Sequence, residues 1–239
     1  MPIMRCAVHH DGVVDADLAL LALVHGAHHV DADAGAPMRI LGIDPGTAHC
    51  GFAALERFDG GVRVRDLGCF KSDPEARLRD RVAELAADLD ELLVVQAPGV
   101  VVTEAPAFPK GALAAAMVWA SFSLLVGLCK ARGAELVTRN PGEWRKLLGL
   151  LAEKLPPAKT TEPKLRAQLA RQAQAKRKES TEQLMRTRWP GASAMLESAP
   201  AITREHAWDA LAIATSWTDR ATTQAAPTSA QGELAWHAR

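Results

Sequence analysis

The chain lacks a net charge, and its cysteines lack the spacing of a metal site. Its 239 residues carry 28 Lys or Arg and 28 Asp or Glu, so the total charge does not indicate a polyanionic partner. No CxxC pair or disulfide pattern is visible, which argues against zinc and predicts free thiols in a reducing cytoplasm. The four cysteines are Cys6, Cys50, Cys69 and Cys129.

The sequence also lacks a basic start and a convincing membrane segment. Asp15 and Asp17 stand where a signal peptide would be basic, so export is not expected. Residues 112–129 are uncharged and approach the length of about 20 that spans a bilayer. Their alanine content, two serines (Ser121 and Ser123) and position between two predicted strands predict a buried helix instead, and no membrane contact.

The positive charge that the chain does have is unevenly distributed. Residues 159–188 contain nine Lys or Arg against three Asp or Glu, whereas residues 1–37 contain one Arg and five Asp. A basic segment on a neutral body suits a phosphate backbone. A solvated helical face would have the same composition, so composition leaves both interpretations open.

Changes in composition divide the chain into three regions. Residues 1–37, rich in His and Asp, are interpreted as a peripheral extension of a domain at residues 38–218. Within that domain, residues 151–175 break the rhythm with several prolines, which predicts a mobile surface insertion. Residues 219–239 are polar and Ala/Thr-rich, which predicts a disordered tail.

The order of predicted elements indicates an α/β fold. Strands are predicted at residues 39–44, 51–56, 62–70, 99–104 and 135–138. Helices are predicted at residues 74–95, 112–129, 179–188 and 203–217, with a short one beginning at Asn140. Three antiparallel strands followed by helix–strand–helix–strand predict a five-stranded mixed sheet with helices on both faces.

Four potential metal ligands stand at the ends of these elements. Asp44 ends the first strand before a Pro-Gly turn, and Glu104 ends the fourth after three valines. His206 and Asp209 are three residues apart in the last helix, so they share a face. Alone, each has an ordinary structural explanation, such as a turn, a solvated strand end or a helix start. Together they could bind divalent metal that splits a phosphodiester.

The joint pattern resembles the RuvC family of Holliday junction resolvases, within the ribonuclease-H-like nucleases. The matching stretches are ILGIDPGTAHCGFA, VVVTEAPAF, VTRNPGEWRKLLG and HAWDALAIA. The resemblance implies that Asp44, Glu104, His206 and Asp209 are catalytic and bind two Mg²⁺ (or Mn²⁺) ions. One ion would activate water and the other would stabilise the leaving 3′ oxygen, giving 5′-phosphate ends. It further implies a homodimer making symmetric nicks in a four-way junction, with residues 112–129 as a candidate dimer surface.

The resemblance also suggests residues that contact DNA. Basic residues between the fifth strand and the last helix would contact the cut strand, and Lys146, Lys176, Arg177 and Lys178 occupy comparable positions. An aromatic after the fourth strand can wedge between bases, and Phe108 is the candidate, with packing in the core as its alternative. Branch-migration machinery is a candidate partner.

Other functions stay open on sequence alone. The extension, insertion and tail are more like phage and prophage members, which leaves the DNA substrate undefined. A related nuclease on RNA–DNA hybrids or flaps would use the same metal chemistry, and a non-catalytic DNA-binding relative would keep the core. An actin-like or sugar-kinase ATPase would need a second Asp-x-Gly segment, and none follows the first.

Overall fold

A five-stranded sheet positions every candidate site residue. The computed structural model describes residues 37–106, 111–150 and 162–224. The strands lie in the order β3-β2-β1-β4-β5, antiparallel between β1, β2 and β3 and parallel between β1, β4 and β5. The strands are β1 (Met38–Asp44), β2 (His49–Phe58), β3 (Gly61–Lys71), β4 (Val100–Glu104) and β5 (Glu135–Arg139). The predicted mixed sheet is confirmed.

Helices cover both faces of this sheet. They are α1 (Leu78–Gln96), α2 (Ala112–Arg132), α3 (Pro141–Leu147), α4 (Pro163–Arg188), α5 (Pro190–Met195) and α6 (Ala201–Gln224). Side chains alternate between faces along a strand. Leu41 accordingly packs with residues of α1 and α2, while its neighbour Ile40 packs with residues of α4, α5 and α6.

The largest differences from the predicted boundaries are at helices α4 and α6. Helix α4 begins at Pro163 rather than near residue 179, so much of the predicted insertion is helical. Proline is well tolerated in the first turn of a helix, and the following residues are mostly good helix formers. Helix α6 continues to Gln224, beyond the predicted end of the domain. The peripheral extension, up to residue 36, and the tail from residue 225 lie outside the described residues, as do residues 151–161.

Helix α2 is less buried than its composition predicts. Ser121, Leu125 and Cys129 face the interior, but only 17% of the residues from Ala115 to Arg132 are buried. Trp119 and Val126 are 37% and 42% exposed. Within the described part of the chain this is the one helix long and apolar enough to cross a membrane, a criterion that core helices of soluble proteins also meet. The prediction of a buried helix is therefore wrong for the outward side of α2, which none of the described elements covers.

Helix α6 lies against the sheet at two glycines. A Cβ added at Gly42 would stand 2.3 Å from the Ala210 carbonyl oxygen, and one at Gly51 would stand 2.1 Å from that of His206. Any side chain at either position would push α6 away from β1 and β2. These two strand glycines therefore determine how closely His206 approaches the end of β1.

Candidate active site

Two carboxylates meet at one edge of the sheet. Strands β1 and β4 run parallel with Ile43 opposite Thr103, so the next residues, Asp44 and Glu104, end adjacent strands side by side. Carboxyl ends of parallel strands are where open α/β sheets place their functional groups. The sequence-based expectation for these two residues agrees with the register.

Helix α6 adds the other two candidate residues. His206 Nδ1 lies 2.6 Å from Asp44 Oδ2, a hydrogen bond in which the ring N–H donates to the carboxylate. Asp209 follows one turn later, and the charges of Asp44 and Glu104 both act on it. The structure thus brings together all four residues that the sequence singles out.

The cluster concentrates negative charge in a partly buried place. Burial raises the pKa of Asp209 to about 7, helped by the charges of Asp44 and Glu104 and opposed by Arg145 and His206. Burial, followed by the charge of Asp44, also raises the pKa of Glu104. A cation among these groups would relieve both effects.

The pKa of His206 is raised as well, but for a basic group this favours the charged form. Burial alone would lower the pKa of His206, but the hydrogen bond to Asp44 and the nearby charges of Asp44, Glu205 and Asp209 outweigh it and raise the pKa. The imidazole therefore carries positive charge more readily than a free histidine. It offsets part of the negative charge of the cluster.

The donor atoms suit a hard divalent cation. Carboxylate oxygens and an imidazole nitrogen are ligands that Mg²⁺ and Mn²⁺ accept. No three His, Cys, Asp or Glu side chains among the described residues converge on one point at ligand distance. Asp44 and Glu104 each direct one oxygen at a protein donor instead. The chemistry of the set fits a metal, and binding would exchange some of these hydrogen bonds.

Helix α3 contributes two residues that the sequence analysis missed. Trp144 is fully buried and its indole N–H donates to Glu104 Oε1 at 2.7 Å. The Arg145 guanidinium lies 3.6 Å from the same oxygen and 4.3 Å from the centroid of the Trp144 ring. The sequence indicates these contacts only through the position of α3, which directly follows β5, the strand next to β4.

The basic residues occupy different positions around this site. Arg145, Lys176 and Arg177 line a cleft of about 350 Å³ between α3 and α4. Lys178 forms an ion pair with Glu205, the residue before His206. Lys146 is exposed on α3. Phe108, the predicted base wedge, lies outside the described residues.

A second histidine lies beside the cluster. The rings of His49 and His206 are parallel within 4°, with centroids 5.4 Å apart. Burial lowers the pKa of His49, and the charges of His206, Lys71 and Arg81 add to the effect. No local pattern singles out His49, because its partner lies on a distant element, the last helix of the described chain.

Comparison with known proteins identifies relatives of the central part of the chain. Residues 40–137 match the family model of the crossover junction endodeoxyribonuclease RuvC. A protein of that name from Parasynechococcus marenigrum (strain WH8102) is 37% identical over 67 residues, 28% of this chain and 44% of the relative. One from Clavibacter michiganensis is 32% identical over 109 residues, 44% of this chain and 53% of the relative. The chain spans about half the length of the curated relatives it matches.

Solved structures extend the likeness to most of the described chain. T. thermophilus RuvC in complex with Holliday junction substrate has a TM-score of 0.55 at 20% identity, covering 78% of this chain and 96% of that one. The yeast mitochondrial Holliday junction resolvase Ydc2 has a TM-score of 0.53 at 14% identity, covering 80% and 81%. At these identities the likeness concerns the fold. It confirms the ribonuclease-H-like fold class expected from the sequence.

Proposed function

Because the chain has RuvC-type sequence over residues 40–137 and the RuvC fold, we propose that it is an endonuclease that resolves Holliday junctions by paired, symmetric nicking. The observation that carries this proposal is the convergence of Asp44, Glu104, His206 and Asp209 at one sheet edge. The relatives named above are crossover junction endodeoxyribonucleases, and the fold neighbours include Holliday junction resolvases.

The proposed cofactor is Mg²⁺ or Mn²⁺, two ions per site, held by the same four residues. Such ions supply a nucleophile at neutral pH and charge stabilisation at the leaving oxygen. The raised pKa values of Glu104 and Asp209 support the proposal, since a cluster that resists its own negative charge gains from a bound cation.

The side chains around the ligands prepare the site. Trp144 and Arg145 hold Glu104 through one oxygen, which leaves the other free to act as a ligand. His206 holds Asp44 in the same way through a single oxygen. The carboxylates are therefore oriented before DNA binds, which limits the reorganisation needed for the reaction.

The proposed substrate fits the charges next to the site. The cleft lined by Arg145, Lys176 and Arg177 lies beside Glu104, so a DNA backbone in it would bring a phosphodiester to the carboxylates. We propose that these cations, with Lys146 and Lys178, contact the cut strand. Branch-migration machinery as a partner and a cytoplasmic location remain proposals from the sequence.

The proposed assembly is a homodimer. A four-way junction has two equivalent strands to cut, and two-fold symmetric subunits place one site on each. The exposed side of α2, with Trp119 and Val126, offers an apolar surface for a second copy. Burial of that surface would also explain an apolar helix that the described part of its own chain leaves uncovered.

The site assignment is tested by removing one ligand charge at a time. Asp44→Asn and Asp209→Asn should each lower junction cleavage by about a hundredfold or more, since metal-ion catalysis contributes several kcal/mol. Junction binding in a gel-shift assay should survive, because the basic cleft is intact. Asp73→Asn, an exposed change outside the cluster, is the matched control. Wild-type cleavage by either ligand variant would refute the assignment.

A further inference from the structure

A mostly apolar pocket lies directly against the catalytic cluster. It has a volume of about 330 Å³, which is within the range of small-molecule sites. Its walls are the turn between β1 and β2, the N-terminal half of α2, and α6. The lining residues are Gly46, Thr47, Ala48, His49, Met117, Val118 and His206. Neither the metal ligands nor the basic cleft explain this pocket, because only His206 belongs to both the pocket and the cluster.

The turn that forms one wall is held by several hydrogen bonds. Arg81 is buried and donates to Ser72 Oγ at 3.0 Å and to Thr47 Oγ1 at 3.2 Å. The Ser72 hydroxyl donates to the Thr47 carbonyl, and the Ser72 backbone N–H donates to the Ala48 carbonyl at 3.2 Å. These bonds tie the turn to the end of β3 and the start of α1. The pocket wall is therefore preformed, as expected of a binding site rather than a loose surface loop.

The composition of the pocket suits a flat aromatic ligand. The His49 ring is half-buried and stacks parallel to the His206 ring. Met117 and Val118 supply apolar contacts from α2. Nucleobases bind proteins by stacking on aromatic side chains, histidine included, and apolar walls accept their faces. Among the residues that the structure describes, no lysine or arginine lines the pocket, so these walls are suited to a base and not to a phosphate.

The position of the pocket relates the base to the reaction. His206 lines the pocket and is hydrogen-bonded to Asp44 at 2.6 Å. A phosphodiester at the carboxylates would thus place an attached nucleotide beside the pocket. Enzymes that draw a base out of its stack must supply the free energy of unstacking and unpairing, which is smallest where these contacts are already weakened. At the exchange point of an open four-way junction the base pairs are intact, but each terminal pair lacks a stacking neighbour on one side, which lowers the unstacking part of that free energy.

We infer that this pocket receives the base next to the scissile phosphate, with His49 as its stacking platform, and that it determines which sequences are cut. The inference rests on the proposed junction-cleaving function and defines a specificity site within it. His49 acts on the choice of nucleotide, while the carboxylates act on the bond.

The test uses junctions with 2-aminopurine, a base whose fluorescence rises when it leaves the stack, at the nucleotide next to the cut. In an Asp209→Asn background, which keeps DNA bound and uncut, fluorescence should rise severalfold at that nucleotide and not two nucleotides away. His49→Ala, or Val118→Phe to fill the pocket, should abolish the rise. With Asp209 intact, cleavage rates across the four bases at that position should differ by about tenfold, and His49→Ala should reduce the difference to about threefold or less.

Val94→Ala, an exposed change on α1, is the control that should leave both measurements unchanged. Junction cleavage with no fluorescence rise at the tested nucleotide would overturn the inference and leave the proposed function intact. The inference is also overturned if His49→Ala and Val118→Phe keep the wild-type base preference. Absence of both junction binding and cleavage in the wild type would instead reject the proposed function, and the inference with it.

Discussion

Asp209 carries a negative charge that the folded protein accommodates poorly. Its pKa rises from 3.8 to about 7 through burial and the charges of Asp44 and Glu104. Between those two values the folded state holds a proton that the unfolded state has lost. The free energy of unfolding therefore decreases as pH rises from about 4 to about 7, and the full cost is present at pH values above 7. This loss of stability is expected of the proposed metal ligand when no cation is bound, because a bound cation would offset it.

From this pH dependence we expect that removing the charge of Asp209 makes the metal-free protein more stable. In EDTA at pH 7.5, Asp209→Asn should raise the melting temperature by several °C, since each kcal/mol corresponds to about 2–4 °C in a domain of this size. The gain should shrink toward pH 4.5, where Asp209 is already neutral in the folded protein. Thermal unfolding across that pH range measures both effects, with Asp73→Asn as control. An Asp209→Asn variant that melts below the wild type at pH 7.5 would contradict this expectation.

At the scale of elements, the contact between α6 and the sheet sets the geometry of the site. Helix α6 carries His206 and Asp209, while β1 carries Asp44, and the two elements meet where Gly42 and Gly51 have no side chains. A carboxylate cluster assembled from separate elements depends on such contacts, because a shift of about 1 Å can cost two orders of magnitude in rate.

Gly51→Ala should therefore damage both stability and activity. The added methyl would stand 2.1 Å from the His206 carbonyl oxygen, so α6 must move, at a cost of about 1–3 kcal/mol in unfolding free energy. Cleavage should fall more than about tenfold under conditions in which the variant is fully folded. Gly191→Ala in α5, where an added Cβ has no neighbour within 4 Å, is the control. Equal behaviour of the two variants would show that α6 is not held by this contact.

The basic face of α4 leads to a prediction about DNA affinity. Lys176 and Arg177 line the cleft with Arg145, whereas Lys178 is already paired with Glu205. Replacing Lys176 and Arg177 with Gln should weaken junction binding and reduce the slope of log K against log salt by about 1 per lost phosphate contact. The charge-matched control replaces Arg57 and Lys130, which lie away from the cleft. An unchanged slope in the α4 variant would show that Lys176 and Arg177 face solvent and do not contact DNA phosphates.

Some of this architecture can be predicted from sequence and some cannot. Local periodicity places His206 and Asp209 on one helix face, and the resemblance to the RuvC family, which is confirmed, adds Asp44 and Glu104 to the group. The register of β1 and β4 agrees with that grouping. The contact of Trp144 with Glu104 joins residues 40 positions apart and depends on how α3 packs.

Helix exposure is equally hard to predict. An apolar helix has the same sequence pattern whether its own chain or a second molecule covers it, which is why composition predicts burial of α2. The contact of Arg145 with Glu104 is hard to predict for a related reason. Consecutive residues on a helix point about 100° apart, and the sequence does not state which one faces the carboxylates.

At the scale of the whole molecule, formation of the proposed dimer should determine whether the two strands are nicked together. Trp119→Glu places a charge on the exposed side of α2 and should convert a dimer to a monomer in sedimentation experiments. On a cruciform plasmid, the dimer should give linear product, whereas the monomer should give mainly nicked circles. Leu165→Glu, at an exposed apolar position on α4, is the matched control. A Trp119→Glu variant that remains dimeric would remove α2 from the interface.

The central proposal, a metal-dependent endonuclease of junctions, is tested most directly by its substrate choice. The measurement compares cleavage of a labelled synthetic four-way junction, a linear duplex, a flap and an RNA–DNA hybrid, with Mg²⁺ or with EDTA. We expect symmetric nicks with 5′-phosphate ends on the junction, dependent on Mg²⁺, and little cleavage of the other three. Preferred cleavage of the hybrid or flap, or junction cleavage that persists in EDTA, would contradict the proposal.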